Sequence, residues 1–136
     1  MNILVIDGQG GMLGSGLVKE ICANFPDAII TAVGTNAVAT AAMLKAGAQH
    51  GATGENPVIV NARKANVIIG PIGIVIADSL SGEITPKMAV AVGSADATRI
   101  LIPMNKCENM VAGINNIATS ALIEDVVLKL KKIATA

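Results

Sequence analysis

The stretch NILVIDGQGGMLGSGLV, residues 2–18, decides the fold. Branched apolar residues from Ile3 to Ile6 read as a buried strand. The pattern then breaks at Asp7 into glycines and resumes near Leu13 as a helix. Gly8, Gly11 and Gly14 form GxxGxxG, with Gly10 added. This is a variant of the dinucleotide fingerprint, whose stricter GxGxxG spacing fails because Leu13 stands five places after Gly8. The physics is shared: glycines permit a tight turn and close backbone approach, and the helix that follows offers free N–H groups and a positive dipole end to an anion. On that reading Gly11, the middle glycine, leaves room for a pyrophosphate. A P-loop matches poorly, because Gly14-Ser15-Gly16 stands where Gly-Lys-Ser/Thr would be needed and the first lysine is Lys19.

Asp7 constrains this reading. A carboxylate about 4 Å from a phosphate costs roughly 1 kcal/mol in water-like surroundings and about 4 at a partly buried site. Three arrangements relieve the conflict: a magnesium ion between the two, a ligand displaced so that ribose hydroxyls meet Asp7, or Asp7 accepting the loop N–H groups as a structural cap. A dinucleotide site also needs a discriminator at the end of the second strand, an acid for NAD or an arginine for NADP. That place reads Gly34-Thr35-Asn36, with neither. Asn36 serves equally as a ribose contact or as a helix N-cap.

Working outward, short Ile- and Val-rich runs alternate with helical patterns, as in a parallel sheet buried on both faces. Strands are predicted over residues 2–6, 28–33, 67–70 and 99–103, with weaker ones over 48–51 and 109–113. Helices are predicted over 13–24, 36–46, 57–65, 72–80, 86–95 and 117–133. Asn56-Pro57 and Thr85-Pro86 each place a capping side chain before a proline at the first helical position, and Gly47 and Gly82 close helices. The expectation is one three-layer, doubly wound α/β domain over residues 1–136, Rossmann-like, with the first strand central.

Composition narrows the function. Of 136 residues, 52% are hydrophobic and only 15% charged, against roughly 25% charged in an average domain. Little polar material remains for the outside, so a homo-oligomer is expected, through apolar segments such as IGIVIADSL (72–80) and NPVIVNARKA (56–65). Ten basic side chains cancel ten acidic ones without forming a stripe, and Phe25 is the sole aromatic. Nucleic acid is therefore not an expected partner. No apolar run approaches the roughly 20 residues of a bilayer span, and the first residues lack the pattern of a signal peptide. Cys22 and Cys107 have no zinc spacing and suit a reducing compartment, so the expected location is cytoplasmic.

Other polar islands are secondary. QHGATGEN (49–56) holds the only histidine, and His50 with Glu55 offers an acid–base pair at the ligand side of the sheet, or simply a loop leading into a helix. GPIG (70–73) repeats the strand–glycine–helix design, so Gly70 and Gly73 are candidates for the second lip of a crevice. In IPMNKCE (102–108), Asn105, Lys106 and Cys107 follow a strand, and a cation beside Cys107 favours thiolate. Asp78 and Glu83 read as a solvated helix end.

Together, IDGQGG, GTNAVAT, HGATGEN, NVIIGPIGI, SGEITPKMA and ILIPMN resemble, over essentially the whole chain, a family of short bacterial proteins known as a domain of unknown function. The resemblance implies a Rossmann-like fold and carries no catalytic residue with it. The leading expectation is a small nucleotide-binding protein, NAD or NADP being the first candidates. Its site would comprise Asp7, Gly8, Gly10, Gly11, Gly14, Thr35, Asn36, Gly70 and Gly73. The length leaves no room for a separate substrate domain, so any catalysis would use a site shared between subunits. Two alternatives stand beside it: an oligomeric scaffold with a degenerate site, and a magnesium-dependent hydrolase or transferase using Asp7.

Overall fold

The computed structural model describes residues 1–104 and 109–136. Five strands, β1 (Asn2–Asp7), β2 (Ile29–Gly34), β3 (His50–Thr53), β4 (Val67–Pro71) and β5 (Thr98–Ile102), form one parallel sheet in the order β3-β2-β1-β4-β5. The first strand is central, as expected. Alternation along β1 divides the interior: Ile3 and Val5 enter one core and Leu4 and Ile6 the other. The first core is closed by α1 (Met12–Asn24), α2 (Ala37–Ala46) and α5 (Thr119–Thr135), through Leu17, Val18, Ile21, Met43, Ile123 and Leu130. The second is closed by α3 (Glu55–Ala62) and α4 (Pro86–Gly93), through Val58, Ala62, Met88 and Val92. This is the three-layer α/β architecture that near-continuous apolar strands require, since both sheet faces must be covered.

Caps were read well where one residue decides them. Asn36 accepts from the Ala39 N–H at 2.9 Å to start α2, and Gly47 ends it with φ 126°. Thr85 caps α4 ahead of Pro86. Three expectations are corrected. Asn56 lies inside α3, whose N-cap is Gly54 (φ 102°), a conformation open to glycine two residues earlier than the proline signal indicates. Residues 109–113 form no strand, since no described strand lies beyond β5. The segment 72–80 is not a helix but one 3-10 turn, Ile72–Val75, followed by tight turns with positive φ at Asp78, Leu80, Ser81 and Gly82. These turns send Ile74, Leu80 and Ile84 into the second core, so the apolar excess of that segment is covered by the chain itself. Gly82 consequently closes a turn rather than a helix.

Candidate functional site

The glycine loop leaves the carboxyl end of the central strand, where the chain turns from β2 on one side to β4 on the other. In doubly wound sheets this switch point is where ligands enter. The loop turns through Gly8–Gly11, closed by the Gly11 N–H bonding to the Gly8 carbonyl at 3.0 Å. Gly11 is the N-cap of α1 in the left-handed conformation, φ 73°, and has no side chain with which to cap the helix. Asp7 does that work from the end of β1. One of its carboxylate oxygens accepts the Gly14 N–H, the third of the helix, at 2.6 Å, and the other accepts the Gly8 N–H at 2.8 Å. Asp7 is 6% exposed. The carboxylate in the loop is thus the missing cap, and it lies under the loop.

A second carboxylate reaches the same loop. Glu83 follows the strained turns after β4, accepting the Gln9 N–H at 2.8 Å, the Thr35 hydroxyl at 2.8 Å and the Asn36 amide at 3.0 Å. Burial raises its pKa, but the three hydrogen bonds outweigh burial and hold it below the ordinary carboxylate value. Glu83 therefore ties the ends of β1 and β2 together. It is no solvated helix end, and its partners lie 74 and 48 residues away in sequence, beyond the reach of any local pattern.

On the β4 side of the loop a crevice of about 400 Å³ remains open, bounded by Asp7–Leu13, Pro71–Gly73, Leu80, Met104, Asn109 and Thr119. Of the expected site residues it brings together Asp7, Gly8, Gly10, Gly11 and Gly73. Gly14 lies beneath, where an added Cβ would stand 2.5 Å from Met43 Sδ. Gly70 belongs to β4 and faces the Ile6 carbonyl, 2.4 Å from where its Cβ would be. Thr35 and Asn36 are held on the far side by Glu83. Packing alone requires a glycine at position 11, where a Cβ would be 2.7 Å from Ala39 Cα in α2.

Anion-binding capacity is reduced but not exhausted. Asp7 and Glu83 take the N–H groups of Gly8, Gly14 and Gln9. Among the described residues, the N–H groups of Gly10, Met12 and Leu13 have no protein acceptor. All three residues border the crevice. Gly10 and Met12 are exposed at its mouth.

At the end of β2, where the adenosine half of NAD or NADP would lie, Glu83 holds Thr35 and Asn36. Among the described residues no group of three His, Cys, Asp or Glu side chains could hold a metal ion. His50 and Glu55 are not a pair: His50 opens β3 and Glu55 follows its end, about 13 Å of strand apart, where Glu55 instead accepts the Thr85 hydroxyl at 2.6 Å. Asn105, Lys106 and Cys107 lie outside the described residues. Cys22 is a free thiol on α1, near the Gly47 carbonyl. No helix among the described residues is long and apolar enough to cross a membrane.

The family model described as Domain of unknown function (DUF3842) matches residues 2–135. The chain belongs to that family. Neither the curated proteins nor the solved structures contain a match.

Proposed function

We propose that this DUF3842 protein binds a small nucleotide-type ligand in the crevice between the glycine loop and the end of β4. The observation that carries this reading is the set of three N–H groups, from Gly10, Met12 and Leu13, with no acceptor among the described residues at the rim of a crevice at the switch point. Its volume, about 400 Å³, is at the lower end of the roughly 300–1,000 Å³ usual for small-molecule sites. That favours a mononucleotide over an extended dinucleotide. Leu13, Pro71, Ile72, Leu80 and Met104 offer the base an apolar wall.

Magnitudes decide whether Asp7 forbids a phosphate. At the exposed mouth, repulsion from Asp7 is close to the water-like value of about 1 kcal/mol, not the buried value of about 4. Hydrogen bonds to a charged acceptor contribute about 1.5–3 kcal/mol each, so two of the three N–H groups outweigh it. A phosphate at the rim is tolerated, while one driven inward toward the Gly14 N–H is not.

Thermal melting with AMP, ADP, NAD and NADP, each with and without magnesium, tests the proposal. A ligand at about 100 times its Kd stabilises by about 2.7 kcal/mol, several degrees in Tm. The expected result is a rise with a mononucleotide, independent of magnesium, that Gly10→Val removes. An added Cβ at Gly10 meets only Met12 Cγ at 4.0 Å among the described residues, so this variant fills the rim without disturbing the loop. No shift with any nucleotide, or an equal shift in Gly10→Val, overturns the reading. The scaffold alternative then stands, supported by the two carboxylates that satisfy much of the loop from within.

A further inference from the structure

A larger concavity, about 690 Å³, lies away from the carboxyl ends of the strands, between the outer faces of α3 and α4. Its apolar wall includes Ile59, Ala62, Val90 and Ala91, and Val90 is 67% exposed. Met88, Ala89 and Val92 already commit the other face of α4 to the core. The exposed face therefore has Lys87, Val90, Ala91 and Ser94 at helical spacing, with Val90 projecting at its middle.

We infer that this face is where a second copy of the chain docks, through two-fold antiparallel packing of α4 on its counterpart. The rim carries charges of both signs, which suits a copy of the same face. Lys87 stands in the first turn of α4, Asp96 just beyond its end and Arg63 at the end of α3, all bordering the concavity. A two-fold axis passing between Val90 and Ala91 sets Lys87 of one copy opposite Ser94 of the other. Asp96 is two residues further on, beyond the end of the helix and at most about 7 Å of chain away, within the combined reach of the lysine and aspartate side chains. Each copy then supplies both members of two equivalent ion pairs, and Val90 of each enters the hollow lined by Ile59, Ala62 and Ala91 of the other. The small side chains at Ala91, Ser94 and Ala95 allow the helices to approach closely. A nucleic acid or a strongly acidic peptide would meet Arg63 and Lys87 but leave Asp96 facing a like charge, which a second copy turns into a pair. A standard interface takes about 800 Å² per copy, roughly a ninth of the 7044 Å² surface, so the outer face of α3 must join α4 in it. This inference stands apart from the nucleotide reading, because the face does not include the crevice.

Sedimentation equilibrium at micromolar concentration tests it. The wild type is expected to be a dimer. Val90→Glu is expected to weaken dimerisation by at least tenfold, about 1.4 kcal/mol, with an unchanged circular dichroism spectrum because Val90 is not part of the core. Lys87→Asp and Asp96→Lys should each weaken the dimer by setting like charges opposite one another, and the double variant should restore it. A monomeric wild type, a dimer indifferent to Val90→Glu, or a double variant no better than either single one overturns the inference. The last two results would assign any dimer to another face.

Discussion

Asp7→Asn separates a cap from a ligand contact. In the native chain the two carboxylate oxygens each receive one backbone N–H, from Gly8 at 2.8 Å and Gly14 at 2.6 Å. Asparagine has one acceptor oxygen and, in place of the other, an NH₂ that can only donate. Either the Gly8 or the Gly14 N–H is then left facing a donor at a site 6% exposed. An orphaned buried donor costs about 1–3 kcal/mol. Removing the negative charge from the start of α1 adds about 0.3–1 kcal/mol, or up to about 2 where the site is partly buried. The expected loss is about 2–4 kcal/mol. With a urea m-value of about 1–3 kcal/mol/M, the unfolding midpoint should fall by about 1–2 M at unchanged slope. The same variant, titrated with a mononucleotide at a temperature where it remains folded, should keep binding and tighten by no more than about fivefold, the loss of a repulsion of about 1 kcal/mol, because the rim N–H groups are not those Asp7 caps. An unchanged midpoint would refute the cap. A tenfold gain in nucleotide affinity at constant stability would show that Asp7's main effect is to repel a phosphate.

The clasp formed by Glu83 predicts a pH dependence. Because hydrogen bonding holds its folded pKa below the ordinary carboxylate value, its contribution is fully present above that value, about 4.3, and is lost as pH falls through the folded pKa. The stability difference between wild type and Glu83→Gln, from urea midpoints at several pH values, should therefore be constant near neutrality and shrink only in the acid range. A difference that persists unchanged through that range refutes the clasp. Gly11→Ala should destabilise by about 2–5 kcal/mol, the sum of about 1–2 for a side chain at positive φ and about 1–3 for overpacking against Ala39. An unchanged urea midpoint would show that α1 and α2 do not meet closely at Gly11.

The fold was legible wherever local signals agreed with one another. β1, its glycine turn and α1 were read from seventeen consecutive residues, because strand, breaker and helix each announce themselves within a few positions. Asn36, Gly47 and Thr85 follow the same logic: a cap is satisfied by atoms three or four residues away. The segment 72–80 misled because its apolar residues carry no record of direction. Ile74, Leu80 and Ile84 reach one core through turns rather than along a helical stripe, and the left-handed residues that make this possible, Asp78, Leu80 and Ser81, include only one of the types that favour that conformation. Glu83 was missed for a stricter reason. All three of its donors come from elsewhere in the sheet, so its role exists only once β4 has been placed beside β1.

The same distinction governs what a glycine signature can say about a ligand. Gly8 is required because a Cβ there would stand 2.6 Å from Glu83 Oε1 and 2.7 Å from Thr35 Oγ1. Gly11 is required by Ala39, Gly14 by Met43 and Asp7, and Gly70 by the Ile6 carbonyl. Each glycine that suggested a pyrophosphate site is explained by an approach of the chain to itself, so the pattern alone supports a fold and not a cofactor. Gly10 differs: it is exposed, its φ is not positive, and a side chain there meets nothing closer than 4.0 Å among the described residues. Folding does not demand a glycine at position 10, and under the proposed function a glycine there keeps the rim of the crevice open. The weight of the binding hypothesis therefore moves from the three spaced glycines to the fourth, the one outside the motif.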